Sequence, residues 1–189
     1  MRPATRFGVA LLLALASGCS ATPSSTAPAE APHAHAASAH GHGHHAAPAT
    51  DSVDARLEEV ARIHGGAGPW AVAGYRMGEG ALAKLGVERG SFDLTIEHFS
   101  PKEVQYSCIA DGAAASTGAS LGKLNLSLAE APREETRTIY RRKSTGQSVT
   151  LRVTKAFAAR FADVPRPRLG DAGREAMQLR DDEIFEAVP

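Results

Sequence analysis

An excess of charge of either sign is what this sequence most clearly lacks: its 189 residues carry 21 Lys and Arg against 21 Asp and Glu. A protein that reads polyanions needs a basic surface, so this balance excludes nucleic acid as an expected partner. Cysteine is scarce, Cys19 and Cys108 being the whole supply. With Cys19 engaged elsewhere, Cys108 stands alone and no internal disulfide framework can form. Histidine is absent from everything after His98. The apolar run at the start, Val9 to Ala16, is too short to span a bilayer as a helix. No internal repeat is evident, and the remaining length suits one modest domain.

What is there begins with "MRPATRFGVALLLALASGCS", in which Arg2 and Arg6 precede the apolar run and small residues follow it. That order reads as a secretory signal over residues 1–18. Leu15-Ala16-Ser17-Gly18-Cys19 resembles a bacterial lipobox, in which the signal is cut before a cysteine that is then acylated, although Ala16 holds the position where Leu is commonest. The expectation is an exported chain, lipid-anchored at Cys19 on the periplasmic face of the cell envelope, with the membrane as its partner through that anchor. Ordinary cleavage beside an incidental cysteine is the alternative. Ser20 lacks the aspartate that would resemble an inner-membrane retention signal.

Residues 19–50 are Ala, Pro, Ser, Thr and His with almost no large apolar side chain. Such a stretch cannot bury enough surface to offset its ordering entropy and reads as a disordered linker, spanning about 30 Å as a flexible coil. Six of the eight histidines sit in it: His33, His35, His40, His42, His44 and His45. Neutral imidazole suits zinc, nickel and copper, so the linker is expected to take up transition-metal ions, zinc or nickel first. A solvated tether that merely titrates is the other reading.

From Asp51 the composition changes, and residues 51–189 read as a folded domain. "DSVDARLEEVARIH" sets Val53, Leu57, Val60, Ala61 and Ile63 near helical spacing, with Asp51 or Ser52 as N-cap. "PWAVAGYRMGEGALAKLG" is a second helix, opened by Pro69 and stopped by Gly86; Gly74, Gly78 and Gly80 inside it point to close approach of another backbone. "SFDLTIEHF" alternates, with Phe92, Leu94, Ile96 and His98 on one face, as a half-buried strand does. "CIADGAAASTG" reads as a short helix of small residues. "LNLSL", "ETRTIYRRK" and "QSVTLRVT" read as strands, the last two joined by a hairpin at Ser144-Thr145-Gly146. The tail reads as a helix followed by an apolar anchor, Ile184 and Phe185. The predicted fold is therefore α+β: N-terminal helices packed on a mostly antiparallel sheet, then a C-terminal helix.

"STGASLGKLNL" contains the G-x-S-x-G spacing of a hydrolase nucleophile elbow at Gly118 to Gly122, and a Gly-Lys pair like the end of a phosphate loop. The elbow needs a strand before its serine and a later histidine as base, and none follows Ser120. The phosphate loop needs Gly at 117 and Ser or Thr at 124, where this chain has Thr117 and Leu124. A tight turn from helix to strand is the better reading.

"HGGAGPWAVAGYRMGEGAL" followed by "CIADGAAASTGASLGKLNL" resembles the FmdE family, which takes its name from one of the components of formylmethanofuran dehydrogenase. In that family His-Gly-His-x-Cys-Pro-Gly leads into G-Y-R-x-G, and C-x-x-D-G leads into T-G-x-x-x-G-K. The likeness runs from Ala61 to the closing "LRDDEIF". It implies an α+β fold with a bound transition metal. His64, Cys108, Asp111, Gly112, Thr117, Gly118, Gly122 and Lys123 match, as do Gly74, Tyr75, Arg76 and Gly78. Gly66 stands where the second histidine is expected, Gly68 where the cysteine is, Trp70 follows Pro69 in place of glycine, and Ala119 replaces a common cysteine.

A closed zinc site wants four side-chain ligands, whereas His64 and Cys108 supply two, with His98 or Asp111 as further candidates. Cys108 falls at the expected start of a helix, where a thiolate is favoured, or is a small buried hydrophobe. His64 is a ligand or a helix-end cap, His98 a ligand or a core histidine, and Asp111 a ligand or the cap of the helix after it. Tyr75 and Arg76 pack and pair on the second helix. The functional expectation is a cell-envelope lipoprotein whose FmdE-like domain binds or handles a transition metal or small ligand and is not catalytic on its own. The alternatives are an enzyme, or an accessory component of one related to formylmethanofuran dehydrogenase, acting on a small substrate, and a non-metal structural module. No feature of the sequence names a protein partner.

Overall fold

The computed structural model describes residues 52–189. The signal, Cys19 and the linker histidines lie outside the described residues. Helix α1 (Val53–His64) starts where Ser52 Oγ accepts from the Ala55 N–H at 3.1 Å and stops at Gly65, which takes the left-handed conformation with φ 85°. It buries Leu57 and Val60, while Ile63, one of its periodic apolar positions, is left exposed. Helix α2 (Pro69–Leu85) has the proline at its first position and left-handed Gly86 as its stop.

Helix α3 (Val104–Thr117) lies against α2 along most of its length, and glycine makes this possible. A Cβ at Gly74 would overlap the Ile109 carbonyl, one at Gly112 the Ala71 carbonyl, and one at Gly78 the Ser116 hydroxyl. Small residues let two backbones meet, so the glycines that weaken α2 as an isolated helix serve its packing.

The helices cover one face of a sheet ordered β2-β1-β3-β4-β5. Its strands are β1 (Leu94–Ser100), β2 (Leu126–Glu130), β3 (Arg137–Arg142), β4 (Ser148–Val153) and β5 (Phe185–Val188). Only β1 and β2 run parallel, because α3 carries the chain across between them; every other pairing is antiparallel. Leu94, Ile96 and His98 of β1 face inward with Tyr140, Val149 and Leu151. The β3–β4 hairpin closes as expected, with Gly146 at φ 73°.

Short elements complete the chain: α4 (Lys155–Arg160), α5 (Leu169–Gln178) and α6 (Asp181–Ile184), which feeds β5. The expected α+β fold is the observed one. Phe92, expected on the buried face of the first strand, is 66% exposed, since the strand begins only at Leu94. The terminal anchor is a fully buried Ile184 followed by a final strand starting at Phe185. Among the described residues, no helix is long and apolar enough to cross a membrane.

Candidate functional site

His64 is the last residue of α1, and the left-handed turn at Gly65 leaves its ring facing α3. There His64 Nδ1 lies 2.8 Å from Asp111 Oδ2. A carboxylate can only accept, so Nδ1 carries the hydrogen of this bond. Asp111 is therefore the partner of His64 and sits well inside α3 rather than capping a following helix.

Cys108 stands one turn earlier on the same helix and shares a cavity with His64. The helix begins at Val104, before the predicted start, so Cys108 is a turn away from the N-terminal end that would favour its thiolate. Burial, and after it the negative charge of Asp111, push its thiol up to about 12. Its Sγ donates to the Gln105 carbonyl at 3.3 Å. At neutral pH this is a thiol, contrary to the reactive reading.

The cavity measures about 670 Å³ and is walled by the Gly65–Trp70 loop, the start of α3 and the segment from Phe161 to Gly170. Trp70 fixes one wall to the other: its indole N–H donates to the Phe161 carbonyl at 3.0 Å, and its ring meets Tyr106 edge-on at 4.9 Å. Ala67, Trp70, Val104, Phe161, Val164 and Leu169 make the lining largely apolar. Its polar side chains are His64, Gln105, Cys108 and Arg166, and no carboxylate lines it.

His98 does not join this site. It is fully buried under the sheet, with Nε2–H donating to the Tyr106 carbonyl at 3.1 Å and Nδ1 accepting from the Thr138 hydroxyl at 2.8 Å. Burial lowers its pKa to about 4. It is a satisfied core histidine, and the ligand reading is corrected.

The expected metal can be tested against the donors present. Gly66 and Gly68 line the cavity where side-chain donors would stand, leaving His64 and Cys108. Among the described residues, no group of three or more His, Cys, Asp and Glu is placed to hold an ion. The donor set does not fit a closed transition-metal site, which needs four deprotonated ligands.

The other family positions are structural. Tyr75 donates from its hydroxyl to Glu59 Oε2 of α1 at 2.9 Å, and Arg76 donates to the Met177 and Leu179 carbonyls at 2.8 and 2.9 Å, closing the end of α5. Lys123 directs its ammonium to the Gly90 and Gly118 carbonyls at 2.7 and 3.0 Å, so it clamps the turn after α3. Sequence reasoning missed Arg166 and the Phe161–Gly170 wall, because "FADVPRPRLG" has neither periodicity nor motif.

Helices on a mostly antiparallel sheet, with an apolar cavity at the helix starts and a His–Asp pair at its edge, define a small α+β domain. The model of the FmdE family, described as "FmdE, Molybdenum formylmethanofuran dehydrogenase operon", matches residues 63–186, and the chain belongs to that family. No curated protein matches the chain in sequence.

Proposed function

We propose that this chain is an envelope-tethered FmdE module that divides two tasks between its parts: the folded domain binds a small organic ligand, and the histidine-rich linker takes up transition-metal ions. The observation that carries the reading is the cavity itself. It is large enough for a ligand of many heavy atoms, mostly apolar, and furnished with a few convergent polar groups, as small-molecule sites are. The glycines at 66 and 68, where the resemblance implies side-chain donors, support an organic occupant over a metal one.

A second reading rests on the His64–Asp111 pair. A carboxylate-oriented imidazole with a free Nε2 is the arrangement a general base needs, and it sits at the cavity edge. Cys108, as a thiol, adds no nucleophile to it. The pair serves equally to receive a hydrogen-bond donor of a bound ligand.

The test follows the chain through export and then measures its metal. Expressed whole, the protein is expected in the membrane fraction, and Cys19→Ala is expected to release it. Elemental mass spectrometry on soluble forms covering residues 20–189 and 51–189 is expected to find zinc or nickel on the longer form alone. A full equivalent retained by the shorter form would overturn the division of tasks.

A further inference from the structure

We infer that the cavity selects an organic monoanion, a carboxylate attached to an apolar body; the inference rests on the ligand-binding reading and adds its charge. The wall contains one permanently charged group, Arg166, and no carboxylate to neutralise it. Arg166 makes no ion pair among the described residues, although the arginines on either side of it do: Arg160 pairs with Glu175 at 2.5 Å and Arg168 with Asp171 at 3.0 Å. Asp111, one turn along α3 from Cys108 of the wall, already accepts from His64.

The backbone adds to this field. Helices α2, α3 and α5 all begin at the cavity, at Pro69, Val104 and Leu169, and none has a side chain capping its first N–H groups. Their positive ends favour a negative charge. They support Arg166 and would not make a site without it.

Polarity also limits the charge. A dianion such as a phosphate monoester needs several cations or donors, whereas one exposed guanidinium on a wall shared with Trp70, Phe161, Val164 and Leu169 suits a single carboxylate carrying hydrocarbon. Gln105 and His64 remain as the polar groups that orient the body of the ligand.

Trp70 is the chain's one tryptophan and stands in the wall, so its emission reports occupancy. On the full chain carrying Cys19→Ala, octanoate, octanamide, octylamine and inorganic phosphate are titrated in turn, for the chain as it is and for Arg166→Gln. The expected result is that octanoate saturates the change and binds about tenfold tighter than octanamide, a ratio that Arg166→Gln removes while leaving octanamide unaffected. Octanamide or octylamine binding as tightly as octanoate overturns the charge preference and leaves the cavity a neutral-ligand site. Phosphate binding without octanoate binding overturns the apolar body. Failure of every octyl compound to bind overturns the ligand-binding reading along with this inference. Arg166→Gln bears on no packing, since its side chain is exposed and makes no hydrogen bond among the described residues, so its unfolding temperature serves as the control for folding.

Discussion

His64 and His98 are the two imidazoles of the described region, and their surroundings assign them opposite parts. His64 lies at the edge of a cavity with one nitrogen committed to Asp111 and the other available. His98 has both nitrogens committed and no contact with water. Burial lowers the His98 pKa from its ordinary 6.5 to about 4, so the folded state binds fewer protons than the unfolded one across that range. Stability from this group is thus fully present above pH 6.5 and is lost as pH falls toward 4, a total of roughly 3 kcal/mol. The measurement is urea unfolding from pH 7.5 to 4 on the domain and on His98→Gln. The variant is expected to be weaker at pH 7.5, where a buried partner loses its bond, and to show a shallower decline. Parallel pH profiles would show that His98 does not carry the acid sensitivity. Neither the fate of His98 nor that of Cys108 is legible in sequence, because residue type fixes what a side chain can do and burial decides which of those things it does.

At the scale of elements, legibility follows periodicity. Helices α1 and α2 carry start and stop signals, and the β3–β4 hairpin carries alternation around a turn, so both are readable. The start of α3 is not: "VQYS" has no apolar spacing and no capping side chain, and its helical state comes from docking on α2. Strand β5 and helix α4 are too short to show a period. The parallel β1–β2 pair is hidden for another reason, since strand direction depends on the crossover through α3. Of the three glycines of α2, Gly74 marks the backbone approach that the sequence leads one to expect, while Gly78 makes room for the Ser116 side chain and Gly80 for the Phe185 ring, and the α2–α3 contact has a quantitative consequence. Gly112→Ala would place a methyl on the Ala71 carbonyl, where only backbone movement makes room. Overpacking of this kind costs about 2 to 3 kcal/mol, equal to a fall of more than about 5 °C in the unfolding temperature. Gly66→Ala, whose Cβ meets nothing within 4 Å, is the control and is expected to leave that temperature unchanged. Equal midpoints for the two variants would mean that α2 and α3 are not in backbone contact.

For the whole molecule, the question is how a domain of a family expected to bind metal comes to lack the donors while keeping the scaffold. The scaffold of α2, α3 and the turn at Gly118 to Lys123 depends on glycines, carbonyl clamps and buried small residues, none of which requires a metal. Two of the donors that the resemblance implies, at Gly66 and Gly68, belong to the loop between α1 and α2, which buries no residue fully. Glycine in their place therefore empties a site without unfolding its frame, and Trp70, packed on Tyr106 and Phe157, braces the cavity from within. The loss is for that reason reversible. Gly66 and Gly68 both have backbone conformations open to other residues; a Cβ at Gly66 meets nothing, and one at Gly68 only touches Leu169 at 3.7 Å. The double substitution Gly66→His and Gly68→Cys would add an imidazole and a thiol to the wall that already holds His64 and Cys108. Metal binding favours the thiolate, so zinc would also draw the Cys108 proton away. Residues 51–189 carrying both changes are expected to bind about one equivalent of zinc, with proton release, where the unaltered domain binds none. If the altered domain stays metal-free while its unfolding temperature is unchanged, the loop has moved away from a metal-holding shape as well as losing its ligands, and the cavity is a site of its own rather than a vacated one.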